Sequence, residues 1–497
     1  MFHYTITVAA AAVLLAGGCH RSMSVSKNDI ASTPAVTLAR IFGDHMVLQR
    51  DLPVRVWGRA APGETVSVAF AGQSRSAAAS SDGRWSVTLD AMPACRQGRD
   101  LAVTSAAGRR VVRDVLVGEV WIAAGQSNVV MPLKGLGGSE AVLAAADAMA
   151  IRACYVNVDF AAGPRDDLAN PDYWDVCTRD RIGDYSGVGM FYAARLAAEL
   201  DVPVGIVIAA MGGSRIEGWT PREALAAAEP GKTFLINDRD RADIPPPQRT
   251  FFGIDGDQHL PSRLYNAMIA PLTPMALRGV LWYQGESNAH APATDAALGR
   301  RPDASDYAAM LAGMITAWRS AFSRDDLAFV LVQLPRYDDP MWPLVREGQR
   351  VCAEQPHVAM AVTIDTGLPN DGHPLDKEPV AARAALAALG KVYRRDVQYQ
   401  GPAPRSMRVE GAKAVLEFDH AGAGLVVKGN RLEGFEVAGA DGKFVPAQAV
   451  AAGSTVTLSS QTLAKIESVR YAWAGVPRCS LYNSANLPAG PFRTAKG

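Results

Sequence analysis

Two rhythms of apolar and polar positions divide this chain. From about Val36 to Asp114 single apolar residues alternate with polar ones in short runs, as in Val54-Arg55-Val56-Trp57, Thr65-Val66-Ser67-Val68-Ala69-Phe70 and Leu101-Ala102-Val103-Thr104, with a Ser81-Asp82-Gly83-Arg84 turn between runs. A period of two punctuated by turn residues predicts half-buried strands and a small β-sandwich. From about Val115 the rhythm changes to solid apolar runs: Val120–Ala124, Val204–Ala210, Val280–Tyr283, Phe329–Leu334 and Val358–Ile364. Runs of this length, apolar on both faces, fit buried parallel strands. Helical spacing separates them. Tyr307, Leu311, Met314, Ile315, Trp318 and Phe322 make one apolar helix face, Gly189–Leu200 is a second helix, and Pro379–Leu389 is a third with Pro379 at its first position. Alternating β and α predicts a five-stranded parallel sheet covered on both faces. From about Val397 short alternating strands return, in Ala414–Phe418, Gly424–Val427, Thr455–Leu458 and Ser468–Trp473, and predict a second β-domain. Residues 222–260 are rich in Asp, Arg and Pro without periodicity and read as an insertion over the sheet edge.

The N-terminal segment is different again. Val8–Leu15 is apolar but too short to span a bilayer, and Ala16-Gly17-Gly18-Cys19 follows it. This predicts an export signal whose small residues resemble a bacterial lipoprotein cleavage site, with Cys19 as the lipidated first residue. The expected layout is therefore a signal over residues 1–19, a polar tether over 20–35, a β-domain over 36–114, an α/β domain over 115–396 and a C-terminal β-domain over 397–497. The expected site of action is the periplasm, an outer-membrane-anchored lipoprotein, or the medium, and the only membrane contact expected is that N-terminal lipid anchor.

Charge removes some partners. Lys plus Arg and Asp plus Glu each total 50, a net charge of zero, so no basic field attracts nucleic acid. Export permits disulfides, but Cys95, Cys154, Cys177, Cys352 and Cys479 are odd in number; Cys154 and Cys177 are the pair best spaced to close a loop, and scattered thiols are the favoured reading. No His/Cys/Asp cluster stands at metal-ligand spacing, and no glycine fingerprint for a nucleotide is present, so no cofactor is expected.

Candidate chemistry collects after the strands. Gly125-Gln126-Ser127-Asn128 follows the first apolar run, Met211-Gly212-Gly213-Ser214-Arg215 the second, Gln284-Gly285-Glu286-Ser287-Asn288 the third, and Asn370-Asp371-Gly372-His373-Pro374 the fifth. Parallel strands would bring all four loops to one sheet edge, the usual ligand side of such a sheet. A serine, glycine N–H groups, an amide and a histidine meeting there suit acyl transfer: serine needs a base, imidazole titrates near neutrality, and oriented donors hold the oxyanion. Elimination favours His373. His3 and His20 lie in or beside the signal, His45 and His420 in β-domain patterns, and His357 before a strand, which leaves His259 and His290 as rivals in the cleft.

These blocks resemble the SGNH (GDSL-like) hydrolase superfamily and, more closely, the sialate O-acetylesterase family of carbohydrate esterases. The resemblance rests on Gly118-Glu119-Val120-Trp121 running into Gly125–Asn128, Gly212–Trp219, Leu264–Leu272, Trp282–Asn288, Asn370–Pro374 with Lys377, and the C-terminal Arg470–Trp473, Leu481–Asn483 and Pro491–Thr494. It implies a flavodoxin-like five-stranded α/β core flanked by β-sandwich-like domains, and a serine esterase that removes acetyl groups from acetylated carbohydrates, 9-O-acetyl sialic acid first among them. Carried over, Ser127 is the nucleophile and His373 the general base and acid. Many members of the superfamily place the acid three residues before the histidine, where Asn370 stands here; Asp371 is the candidate, with a backbone carbonyl or Glu286 as alternatives. The oxyanion hole would use the N–H groups of Ser127 and Gly213 (or Gly212) and an amide of Asn288 or Gln284. Arg215 and Glu286 are candidate substrate contacts, Glu286 equally a buried carboxylate holding loop N–H groups. Glu217 joins them at the cleft, and Trp219 reads as packing. Alternatives are an esterase for acetylated xylan or another plant polysaccharide, and a carbohydrate-binding protein with a decayed site. A lipase or peptidase finds no apolar lid.

Overall fold

A computed structural model describes residues 36–169, 173–232, 235, 260–289 and 306–494. The expected export segment with Cys19, the tether, His259 and His290, and most of the 222–260 insertion lie outside them.

The fold is mixed α/β, built on one large mixed sheet with further β-sheets at either end. Six strands run parallel in its central part: β8 (Gly108–Gly125), β9 (Ile151–Tyr155), β11 (Val204–Ala210), β12 (Gly279–Tyr283), β13 (Ala328–Val332) and β14 (Val358–Ala361). The order is β10-β9-β11-β8-β12-β13-β14, with the short β10 (Asp175–Val176) antiparallel at the edge. This corrects the expected five-stranded flavodoxin-like core: taken by sequence, the parallel strands lie second-third-first-fourth-fifth-sixth. Strand β9 escaped the apolar pattern because Arg152 interrupts it. That side chain is nevertheless buried, and its Nη2 reaches Asp114 Oδ2 at 3.1 Å.

All seven residues of β11 are buried because both faces are covered. Ile206 and Ile208 pack with Leu281 and Val330 under the helices α3 (Gly187–Leu200) and α8 (Lys377–Lys391). Val207 and Ala209 join Val280, Trp282 and Phe329 under α6 (Tyr307–Ala321) and α7 (Trp342–Cys352). Helix α8 begins two residues earlier than the sequence suggested. Pro379 is thus third in the helix, still within the first turn, where a missing N–H costs no helical hydrogen bond.

Strand β8 organises the molecule. Its first part pairs with β7 (Cys95–Ser105) and with β2 (Val47–Gln49) inside the N-terminal β-domain, and its last part is the central strand between β11 and β12. The boundary expected between residues 114 and 115 therefore falls inside a strand and not in a linker. In the N-terminal domain β1, β3 and β6 form a second sheet (Thr37–Leu38, Val54–Arg59, Arg84–Leu89), whose Val54, Val56, Trp85 and Val87 share a core with Val66, Val68, Leu101 and Val103. The C-terminal domain has two four-stranded sheets and a small two-stranded one around Leu416, Phe435, Val456, Tyr471 and Phe492, a core that also takes in Ile364 from the end of the α/β part. Among the described residues no disulfide is formed, between Cys154 and Cys177 or elsewhere.

Candidate active site

The register of the parallel strands brings the loops together. Gly125 stands opposite both Ala210 of β11 and Tyr283 of β12, so the turns after all three begin at one level. Gly125 is required there. Its φ is +140°, and a Cβ would lie 2.0 Å from the Tyr283 carbonyl oxygen. The chain then enters the four-residue helix α1 (Ser127–Val130) from an extended Gln126, which puts Ser127 at the first helical position.

The central contact spans the chain. His373 Nε2 lies 2.7 Å from Ser127 Oγ. Neither is deeply buried: Ser127 is half-buried and His373 exposed, so a substrate can approach from solvent. Asp371 meets His373 at a different atom from the one expected. Its Oδ1 accepts the backbone N–H of His373 at 2.8 Å. Among the described residues no carboxylate pairs with the imidazole.

The turn after β11 packs against the serine. A methyl group added at Gly212 would sit 3.8 Å from the Ser127 Cβ. Gly213 has φ +70°, and the turn is closed by Ser214 N–H and Ser214 Oγ donating to the Met211 carbonyl at 3.3 and 2.7 Å. The N–H groups of Ser127, Gly212 and Gly213 find no acceptor among the described residues.

The loop after β12 separates the two amides that the sequence could not rank. Gln284 is fully buried and its amide points inward, to Asn288 Oδ1 at 2.8 Å, Ser214 O at 3.1 Å and Gln126 Oε1 at 3.3 Å. Tyr307 O–H donates to its Oε1 at 2.9 Å. This corrects the expectation of Gln284 as a donor to the reacting group: its hydrogens are used within the protein. Asn288 is half-buried. Its Oδ1 accepts from Gln284 and from Ile216 N–H, and its Nδ2 donates to Glu217 Oε2 at 3.1 Å, which leaves one amide hydrogen for a ligand.

Glu286 is also corrected as a substrate contact. It lies beneath the loops, where its Oε1 accepts from Asn128 Nδ2 at 2.5 Å and its Oε2 is buried without a partner. Burial pushes its carboxyl up, against nearby N–H groups, the Asn128 amide and Lys377. Arg215 is largely buried with Nη1 3.9 Å from Glu217 Oε1. Trp219 is packing, as expected: it is fully buried against Trp282 and donates its Nε1–H to Ser214 Oγ.

Two residues that sequence reasoning gave no role stand in this site. Asn128 Nδ2 donates to Gly372 O at 3.0 Å, and Lys377 Nζ donates to Asn128 Oδ1 at 2.7 Å and to Pro374 O at 2.6 Å. The signals were position, Asn128 next to Ser127 and Lys377 four residues after His373, and the place of both in the motifs that carry the family resemblance.

The chain is similar to known proteins along most of its length. Residues 117–394, more than half the chain, match the family described as carbohydrate esterase, sialic acid-specific acetylesterase. Sialate O-acetylesterase of Rattus norvegicus is 29% identical over 91% of this chain and 93% of its own length. That of Homo sapiens is 29% identical over 91% of each. A carbohydrate acetylesterase from Xanthomonas citri, known by crystal structure, is 36% identical, covers 93% of this chain and 100% of its own, and superposes with a TM-score of 0.82.

Proposed function

This chain belongs to the sialic acid-specific acetylesterase family of carbohydrate esterases and is a carboxylic ester hydrolase acting on O-acetylated carbohydrates, and from that premise we propose that its substrate is 9-O-acetyl sialic acid and its nucleophile Ser127. His373 takes the Ser127 proton at Nε2 as Oγ attacks the acetyl carbonyl carbon. The resulting oxyanion is held by the N–H groups of Ser127 and Gly213 and by the remaining Nδ2–H of Asn288. The imidazolium then gives its proton to the departing sugar oxygen, leaving an acetyl ester on Ser127. Water, deprotonated by the same imidazole, releases acetate and restores the serine.

The observation that carries this reading is the 2.7 Å separation of Ser127 Oγ and His373 Nε2, within proton-transfer reach. Ser127→Ala is expected to abolish acetate release from an acetylated sugar while leaving the melting temperature unchanged. Undiminished release by a folded Ser127→Ala protein would overturn the assignment and favour a binding role. The substrate itself is tested by acetate release across acetylated sialic acid, xylan, pectin and simple sugars. Faster turnover of acetylated xylan would replace the sialate reading with the plant-polysaccharide one, a reading supported by the broader name of the Xanthomonas citri relative. Export with lipidation at Cys19 belongs to the same proposal. It is supported by the apolar Val8–Leu15 run and tested by palmitate labelling of the wild type against Cys19→Ala.

A further inference from the structure

The carbonyl groups on both sides of His373 are gripped from below. Gly372 O accepts from Asn128 Nδ2 at 3.0 Å, and Pro374 O accepts from Lys377 Nζ at 2.6 Å. The two grips are joined, because Lys377 Nζ also donates to Asn128 Oδ1 at 2.7 Å. Asn128 is the chain neighbour of Ser127. The residue after the nucleophile thus holds the loop of the base, and Lys377 holds both. All three groups of this network are interior: Asn128 and Lys377 are fully buried, and Glu286, which accepts the second hydrogen of Asn128 Nδ2, is 5% exposed.

We propose that Lys377 is a positioning residue for the hydrolysis: through Asn128 and the Pro374 carbonyl it fixes the His373 loop against the Ser127 turn and so sets the distance between Oγ and Nε2. The proposal rests on the Ser127 and His373 reading above. Fixing that distance has kinetic weight, since a displacement of about 1 Å between reacting groups costs roughly 10²-fold in rate. An ammonium suits the position: its three N–H donors match two oxygens and the field of the Glu286 carboxylate. A neutral apolar side chain would release the loop and leave Glu286 buried and uncompensated.

That second consequence separates positioning from bulk stability. Lys377→Met should lower both stability and kcat. Glu286→Gln added to it removes the uncompensated charge and should restore the melting temperature, yet it restores neither grip on the loop. The expected result is a folded Lys377→Met/Glu286→Gln protein with kcat about 10–100-fold below wild type and KM within about twofold. A double variant with wild-type kcat would overturn the proposal and reduce Lys377 to a counterion.

A pH profile provides a second readout. Burial pushes the Lys377 ammonium down to about 8, against the pull of Glu286, Asp376 and Asp371. The groups facing it are Glu286 from the loop after β12, the Tyr283 ring 5.7 Å away at the end of that strand, and Asp371 and Asp376 from the segment that leads into its helix. Below that value Lys377 is charged and the network complete; above it the charge is lost. Wild-type kcat should therefore fall on an alkaline limb near pH 8 that the double variant lacks. The same limb in both proteins, or none in the wild type, would overturn the proposal. Ser127→Ala is assayed in parallel: activity there would overturn the underlying reading whatever the Lys377 variants show.

Discussion

At the scale of single residues, Asp371 is the instructive case. Its carboxylate accepts the backbone N–H of His373 and thereby closes the turn on which the imidazole stands. An amide oxygen can accept that same hydrogen, so Asp371→Asn should preserve the loop and lower kcat by less than about tenfold. Where a triad carboxylate sets the imidazole tautomer, the same exchange costs roughly 10⁴. A loss of that size on an acetylated sugar would show that the carboxylate acts on the imidazole and not on the backbone. The residue type was legible in the sequence; the atom it serves was not, because two residues of turn backbone decide whether a carboxylate meets the N–H or the ring.

At the scale of elements, β8 shows how a strand that crosses domains is held. Glu119 is completely buried within it and accepts from Arg278 at 2.9 Å, Arg50 at 2.5 Å and Gln49 at 3.1 Å. Burial pushes its carboxyl up, but Arg278 first, then Arg50 and Gln49, outweigh that and leave it below its ordinary 4.5. Gln49 also accepts the Val120 N–H, so one cluster fixes β8 where the β-domain hands it to the central sheet. Glu119→Ala would leave Arg278 without its carboxylate and Arg50 with only Asp51, 3.6 Å away, and should destabilise the fold by roughly 3–5 kcal/mol, read by urea unfolding at pH 7. The sign with pH follows from linkage: a carboxyl with depressed folded-state pKa contributes stability above its unfolded value, lost as pH falls through the folded one. The difference between wild type and Glu119→Gln should therefore shrink below about pH 4.5, and a difference that grows there would refute the pairing.

At the scale of the whole molecule, the C-terminal β-domain is tied to the α/β part through buried charge. Arg346 of α7 is fully buried and donates to the carbonyls of Ala474 and Gly475 at 2.8 and 3.0 Å, as well as to Leu334 and Pro335. Asp365, paired with Arg383 of α8, also accepts from Tyr482 O–H at 3.0 Å. Gly475 in turn bonds Tyr337, whose ring lies 3.7 Å from where a methyl group at Gly372 would be, so the C-terminal domain braces the histidine loop indirectly. Arg346→Met removes a donor from four carbonyl groups, three of them on buried residues, and should cost on the order of 3 kcal/mol or more. Calorimetry should show the C-terminal domain melting ahead of the remainder. A single transition at the wild-type temperature would mean that these bonds contribute little to coupling.

The sequence by itself determined the alternation of elements, the strand-end loops with Ser127 and His373, and the packing role of Trp219. Apolar periodicity is a local property, and the chemistry of a serine or histidine travels with the residue. Tertiary structure alone decided the rest. Strand β9 was hidden because Arg152 finds its partner Asp114 from another strand. Gln284 and Asn288 look equivalent as amides until their neighbours use the hydrogens of one and spare a hydrogen of the other. Glu286 reads equally as a substrate contact and as a buried carboxylate, and Lys377 has no role, until burial brings both together with Asn128. In each case the deciding quantity is who stands next to a polar group once water is gone, and that depends on residues up to hundreds of positions away.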